Sequence, residues 1–357
     1  MFTPENFLAN STTTNLVNSS TTTVGSDHDT DDETANVITT TIGGGLSMIG
    51  VIFIVFSYFK LLEYRAGGTT AQTILLFIST ADFIAACSNV VSVWIPARSD
   101  TAACKTGGFL IIFATTSSFF WTSCLAIHLY LIIMNKSHLV SHKKKMLIFH
   151  IVSWGLPLLF GSVALGCKAL GPSPENKNES LIKLTTGGWC WIRDFHDKKK
   201  NIAWTMMTSK IWELSSYLLI TVLCILIFIQ LRFKIKTTDS ISEDTLAEAR
   251  KVERRMMFIP VAFVLLRVWG TVRYFAYVSE LPIRAKVLQN MPLYALQGLG
   301  DSSQGFANSI FFCISNKRVY EYWKYTLANI LPDFLCYNPD SEDSERTPII
   351  YSLNVEK

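Results

Sequence analysis

Four ionisable residues stand where water has little reason to be. Asp82, Glu213, Arg267 and Asp301 each lie inside a long and otherwise apolar stretch of the chain. A charge at the centre of a bilayer costs ~2.5–3.5 kcal/mol on insertion scales, so such groups turn to a bundle interior and find partners there. At ~1.5 Å per helical residue, all four lie ~17–18 Å in from one end of their stretches, which puts them in one layer. Three acids and one base predict that Arg267 pairs with one carboxylate, the others being protonated, hydrated or bound to a cation; the choice of partner stays open at this level. Spacing adds a face. Gln297, Asp301, Gln304 and Asn308 fall at i, i+4, i+7 and i+11, a single polar stripe. Ser79, Asp82 and Asn89 form a second stripe, and Lys210 and Glu213, one turn apart, can neutralise each other. One reading makes these residues interhelical glue, at ~0.6–2 kcal/mol per link. The other makes them a switch layer, with Gln304 and Asn308 as its inner relay.

The elements that must position these groups follow from composition. Of 357 residues, 49% are apolar and only 17% charged, with a mean hydropathy of +0.29, against roughly 25% charged in soluble proteins. Disordered, collagenous and nucleic-acid-binding classes are excluded by the same balance, and 8 thinly spread Cys describe no disulfide knot. Stretches of about 20 apolar residues cross a bilayer core of ~30 Å. Seven are found, at 37–59, 71–95, 106–135, 146–167, 201–231, 256–278 and 289–316. The predicted fold is an all-α membrane protein, a seven-transmembrane helix bundle over 37–316. A disordered outer tail of 1–36 precedes it, rich in Ser, Thr and acid. An amphipathic helix over 317–331 follows in the inner interface, then a disordered cytoplasmic tail over 332–357.

Charge sets the orientation. Residues 1–59 hold no Lys or Arg, whereas Lys60 and Arg65 come directly after the first span, which puts the N-terminus outside a plasma membrane. Lys143, Lys144 and Lys145, with Arg250, Lys251, Arg254 and Arg255, then form an inner basic rim facing either a protein partner or lipid headgroups. The basic loop 168–200 disagrees and is outvoted by the alternation of the rest. Asn10, Asn18 and Asn178 head glycosylation sequons on outer segments. Cys104 opens the third span and Cys190 stands in the large outer loop, both in oxidising surroundings, so a disulfide between them is expected, with Cys167 as a competitor for Cys190.

Above the charged layer, Trp94, Trp191, Trp204, Lys210, Trp269, Arg273, Tyr274, Tyr277 and Tyr294 form a candidate ligand pocket with apolar walls and few polar anchors. The alternative makes the aromatics an interface belt from which Arg273 snorkels. Of six His, only His128 and His150 fall within spans, too few for a zinc site. The seventh span has no Lys for retinal, and no phosphate loop, Cys-x-x-Cys pair or nucleophile elbow is found. The chain is therefore read as no enzyme, with no cofactor and no metal. A secondary transporter using the buried charges for ion coupling is the alternative function.

Several motifs are similar to known ones. Ser303-Gln-Gly-Phe-Ala-Asn308, Asn316-Lys-Arg-Val319 and Ile259-Pro260 resemble the signatures of the secretin and cAMP-receptor branch of G-protein-coupled receptors. Phe119-Phe-Trp121, His150-Ile-Val-Ser-Trp-Gly-Leu-Pro157, Gly188-Trp-Cys-Trp-Ile192, Lys210-Ile-Trp-Glu213 and Leu266-Arg-Val-Trp-Gly-Thr-Val-Arg-Tyr274 extend the likeness over roughly 46–325. Ile127-His-Leu-Tyr130 stands where rhodopsin-type receptors carry an Asp-Arg-Tyr, and the N-tail has no Cys for a hormone-catching domain. The resemblance implies a receptor whose extracellular ligand meets the helices and outer loops directly. It further implies guanine-nucleotide exchange on a heterotrimeric G protein, of the phospholipase C-activating class, with the ciliary membrane as a site.

Overall fold

The computed structural model describes residues 24–63, 69–94, 100–134, 141–171, 190–193, 195, 197–234, 255–279, 287 and 290–330. Three long helices come first: α1 (Val24–Glu63), α2 (Thr70–Trp94) and α3 (Ala102–Ile133). Helix α4 (His142–Gly166) widens at a π-helical turn, Ile151–Gly155. A short antiparallel pair follows, β1 (Leu170–Gly171) with β2 (Trp191–Ile192). Helix α5 consists of Lys198–Thr205, a second π-helical turn at Met206–Lys210, and Ile211–Lys234. Then come α6 (Phe258–Val278), α7 (Met291–Ser302), α8 (Gln304–Ser315) and α9 (Lys317–Ile330).

Among the described residues, α1 to α6 are long and apolar enough to cross a membrane. The seventh predicted stretch is shared by α7 and α8, which meet end to end at Ser303. Each has 12 residues, about 18 Å of helix, so neither reaches across a ~30 Å core by itself. At the other end of the chain, the membrane-crossing part of α1 is Val37–Lys60, close to the predicted 37–59, and the helix itself starts earlier, at Val24, in the segment that composition assigns to a disordered tail.

The bundle is organised around α3, which packs against α2, α4 and α5, while α1 packs on α2, α7 and α8. Contact is close where glycine permits it. A methyl group at Gly300 of α7 would lie 2.1 Å from the Leu266 carbonyl oxygen of α6, so the two backbones touch only because that position has no side chain. The Trp-rich motifs are packing motifs: Trp121 of α3 is fully buried, stacked on Phe77 of α2 at 4.8 Å and met edge-on by His150 and Trp154 of α4. Helix α9 is moored to α1, its Trp323 indole donating to Ser57 at 2.8 Å and lying 4.9 Å from the Phe53 ring. Val319 is buried beside it, while Tyr320 and Tyr325 on the other side are exposed.

Candidate functional site

One end of the bundle is roofed by the β1–β2 pair. The roof is fastened three times. Cys190, next to β2, is bonded to Cys104 in the first turn of α3 across a sequence separation of 86; Cys167 stays a free, exposed thiol. The Arg193 amide donates to the Ala169 carbonyl at 2.8 Å. Asp100 accepts an ion pair from Arg193 at 2.9 Å and another from Lys105 at 3.1 Å. The hydrogen bond from Lys105 first, then the two positive charges, hold the Asp100 carboxyl below the usual carboxylate range.

Beneath the roof lies a cavity of about 90 Å³ whose walls come from α2, α3, β2, α5, α6 and α7. Its floor is polar. The Lys210 ammonium donates to Glu213 at 2.7 Å, and the same carboxylate accepts from the hydroxyls of Tyr217 at 2.6 Å and Thr271 at 3.3 Å. Arg267 is 4% exposed and donates through Nε to Gln304 at 2.9 Å, its Nη1 standing 3.9 Å from Asp301. The guanidinium lies against two adjacent rings, 4.8 Å from Phe119 and 5.8 Å from Phe263, an arrangement that favours a desolvated cation.

From Arg267 a continuous chain of hydrogen bonds runs through the bundle. Gln304 donates to Ser118 at 3.1 Å, Ser118 donates to one Asp82 oxygen at 2.7 Å, and Asn308 donates to the other at 2.8 Å. Every one of these links is buried, and together they tie α2, α3, α6 and α8. Of the alternatives open in the sequence, Arg267 therefore faces Asp301 and Gln304, Lys210 takes Glu213, and Asp82 is held by neutral donors.

The predicted pocket residues divide. Trp191, Lys210, Tyr274 and Tyr277 line the cavity. Trp204 packs beside it with Trp191 on the cluster around Ile112 and Ile192. Arg273 and Tyr294 form a neighbouring pair, the guanidinium 4.3 Å above the ring and bonded to Gln297; the arginine is wholly buried and does not snorkel. Trp94 and Trp269 do not belong to the pocket. Trp94 is 67% exposed on the outside of α2, where its indole bonds Thr41 of α1, and Trp269 also faces outward. Helical phase separates Trp269 from Gly270, Arg273 and Tyr274, which share the inner face of α6.

The basic rim divides too. Lys143 and Lys144 are exposed at the opposite end of the bundle. Lys145 is buried, its ammonium 3.1 Å from His128 Nδ1, because at the start of α4 it lies on the face packed against α3. Arg255 reaches the Ile314 carbonyl at 3.5 Å. Arg250, Lys251 and Arg254, and the sequons at Asn10, Asn18 and Asn178, lie outside the described residues. Sequence reasoning missed Ser118, Tyr217 and Thr271. A signal for Ser118 existed, the hydroxyl run Thr115 to Ser118, but such residues satisfy themselves on their own helix and barely move hydropathy.

Comparison with known proteins places this geometry. The family model described as 7 transmembrane receptor (Secretin family) matches residues 33–300. The chain is 31% identical over 259 residues to G-protein coupled receptor 157 of Mus musculus, covering 70% of this chain and 73% of that protein. The Homo sapiens protein of the same name is 31% identical over 256 residues, covering 70% and 72%. Cyclic AMP receptor-like protein A of Dictyostelium discoideum is 26% identical over 292 residues, covering 78% and 64%. A helical bundle whose described residues include six helices long and apolar enough to cross a membrane, matched along most of its length by that family, leaves one conclusion: the chain belongs to the secretin family of seven-transmembrane receptors.

Proposed function

We propose that this protein carries a signal from outside the cell to a heterotrimeric G protein of the phospholipase C-activating class. In this reading the roofed end faces the exterior with the N-terminus, α7 and α8 together make the seventh crossing, and α9 lies in the inner interface. Asn10, Asn18 and Asn178 carry glycans on the outer side. Lys143, Lys144 and Arg250 to Arg255 meet the G protein. The plasma membrane, including that of cilia, is its place.

The observation that carries the proposal is the buried chain Asn308–Asp82–Ser118–Gln304–Arg267 below the cavity. A partly broken buried network costs more than either a whole one or a cleanly exchanged one. Helices joined by such a network shift together between discrete packings, and a ligand that favours one packing moves the population. Ion coupling has no comparable support: Asp82 and Glu213 are each committed to two or more donors.

The test is a G-protein dissociation screen across the four Gα families in cells expressing the full chain, with surface protein quantified. Basal dissociation of the phospholipase C-activating class is expected, falling on Arg267→Ala. Silence in every family, or undiminished signalling by Arg267→Ala at equal surface level, overturns the proposal.

A further inference from the structure

The base-rich loop 168–200 runs against the charge rule that orients the rest of the chain, and neither the cavity nor the buried network explains it. It holds seven Lys and Arg against four Asp and Glu. Its described part gathers bases along the roof. Lys168 follows α4 at a φ of 55°, a left-handed position that glycine takes at less cost. The next residue, Ala169, accepts from the Arg193 amide at 2.8 Å, and Arg193 shares Asp100 with Lys105. Two residues of chain, at most ~7 Å, lead from Arg193 to Phe195, whose amide donates to Asn201 of α5 at 3.0 Å. That bond brings the first turn of α5, with Lys198, Lys199 and Lys200, against β2.

Charges within the protein do not balance this strip. Asp100 already serves two bases, and Asp197 caps α5 by accepting from the Lys199 amide at 3.0 Å. Lys168, Lys199 and Lys200 are exposed and have no ion-pair partner among the described residues. Three lysines in a first turn also stand at the positive end of the helix dipole, which disfavours them there. The acids from Asp27 to Glu33 belong to α1, which packs on α2, α7 and α8, whereas β1 and β2 rest on α3. The counter-charge therefore comes from another molecule.

The surface also says what kind. A protein or peptide partner is held by buried aromatic and apolar anchors, but among the described residues of the roof no large apolar side chain is exposed. Lysine is a compact point charge on a flexible stem, suited to repeated single anions more than to one planar carboxylate. We infer that the strip from Lys168 through Arg193 to Lys200 binds a sulfated polysaccharide of the cell surface. Each exposed lysine contributes little alone, and several engaged together by one chain add their effects. The inference rests on the outward orientation proposed above, because such polymers lie outside cells.

The experiment uses the full chain in neutral-lipid nanodiscs over immobilised heparin, with heparin stripped of its sulfates as control. Saturable binding that weakens as ionic strength rises is expected for heparin, and binding roughly tenfold weaker or less for the stripped polymer. The combined substitution Lys168→Gln, Lys198→Gln, Lys199→Gln and Lys200→Gln should weaken heparin binding by roughly tenfold or more and leave melting temperature unchanged. Lys143→Gln with Lys144→Gln, at the opposite end of the bundle, should leave binding as it is. No heparin binding, equal binding of the stripped polymer, indifference to the strip substitutions, or an equal loss with the Lys143 and Lys144 pair overturns the inference. So does binding that appears only when the acids from Asp27 to Glu33 are changed to amides, which assigns the strip to the chain's own tail. Orientation is read separately on intact cells with a membrane-impermeant maleimide. Cys167, a free and exposed thiol beside Lys168, should be labelled, and Cys167→Ser should remove the label. Labelling without heparin binding overturns this inference alone; absence of labelling overturns the orientation, and the polysaccharide with it.

Discussion

Gln304→Met removes a bridge without leaving a hole. The thioether fills nearly the same volume as the amide, so the cost is polar. In the intact protein the Gln304 side chain accepts from Arg267 at 2.9 Å and donates to Ser118 at 3.1 Å. Losing the acceptor of a buried guanidinium costs ~1.5–3 kcal/mol, and losing the neutral bond about 1 kcal/mol. Ser118 keeps its bond to Asp82 at 2.7 Å, and Arg267 keeps its rings and its distant Asp301, which holds the total near 3 kcal/mol. For a domain of this size that is a fall of ~6–12 °C in melting temperature. The assay is a double-mutant cycle. In an Arg267→Met background the same substitution strands no cation and should cost only about 1 kcal/mol, or ~2–4 °C. Nanodisc melting of the four proteins reads the coupling. Additivity of the two substitutions to within ~0.5 kcal/mol would refute the claim that Arg267 and Gln304 act as one unit.

Three further outcomes are expected. Gly300→Val should abolish surface expression, because a Cβ there lies 2.1 Å from the Leu266 backbone oxygen, whereas Gly45→Ala, with nothing within 4 Å, should be tolerated; flow cytometry of a tagged chain compares them. Lys145→Ala should lower melting temperature through the buried His128 pair, whereas Lys143→Ala and Lys144→Ala should leave stability within ~0.5 kcal/mol and weaken only retention on anionic vesicles or G-protein coupling. The Asp100 clamp should loosen in acid. Its carboxyl titrates lower in the folded protein than its ordinary 3.8, so the clamp contributes fully above that value and is lost as pH falls through the depressed folded one. Hydrogen exchange at 190–193 should accelerate in that window, and Asp100→Asn should remove the step.

Much of the architecture was legible before any coordinates, because the bilayer makes unusually simple demands. A helix that must hide every backbone dipole in hydrocarbon shows itself as an unbroken apolar run, which is why α2, α3 and α6 fall within a few residues of where hydropathy places them. The Cys104–Cys190 disulfide was readable from compartment and position. Helix breaks were not: the π-helical turns in α4 and α5 and the interruption at Ser303 leave apolar composition untouched. The early start of α1 at Val24 was hidden for the opposite reason, since polarity marks exposure and does not forbid a helix.

The site divides along the same line. That Asp82, Arg267, Asp301, Gln304 and Asn308 turn inward was determined by the chain itself, since charged and amide side chains in an apolar run find partners only inside the bundle. Which of them touch was decided by the crossing of α2, α3, α6, α7 and α8, because partner choice depends on rotation and depth between helices distant in sequence. The same crossing turned Trp94 and Trp269 outward and Lys145 inward. It also brought Ser118, a residue with no charge and little hydropathy, to the junction between Asp82 and Gln304. Burial is a property of one helix and its solvent, whereas pairing belongs to two helices at once, and only the packed bundle contains it.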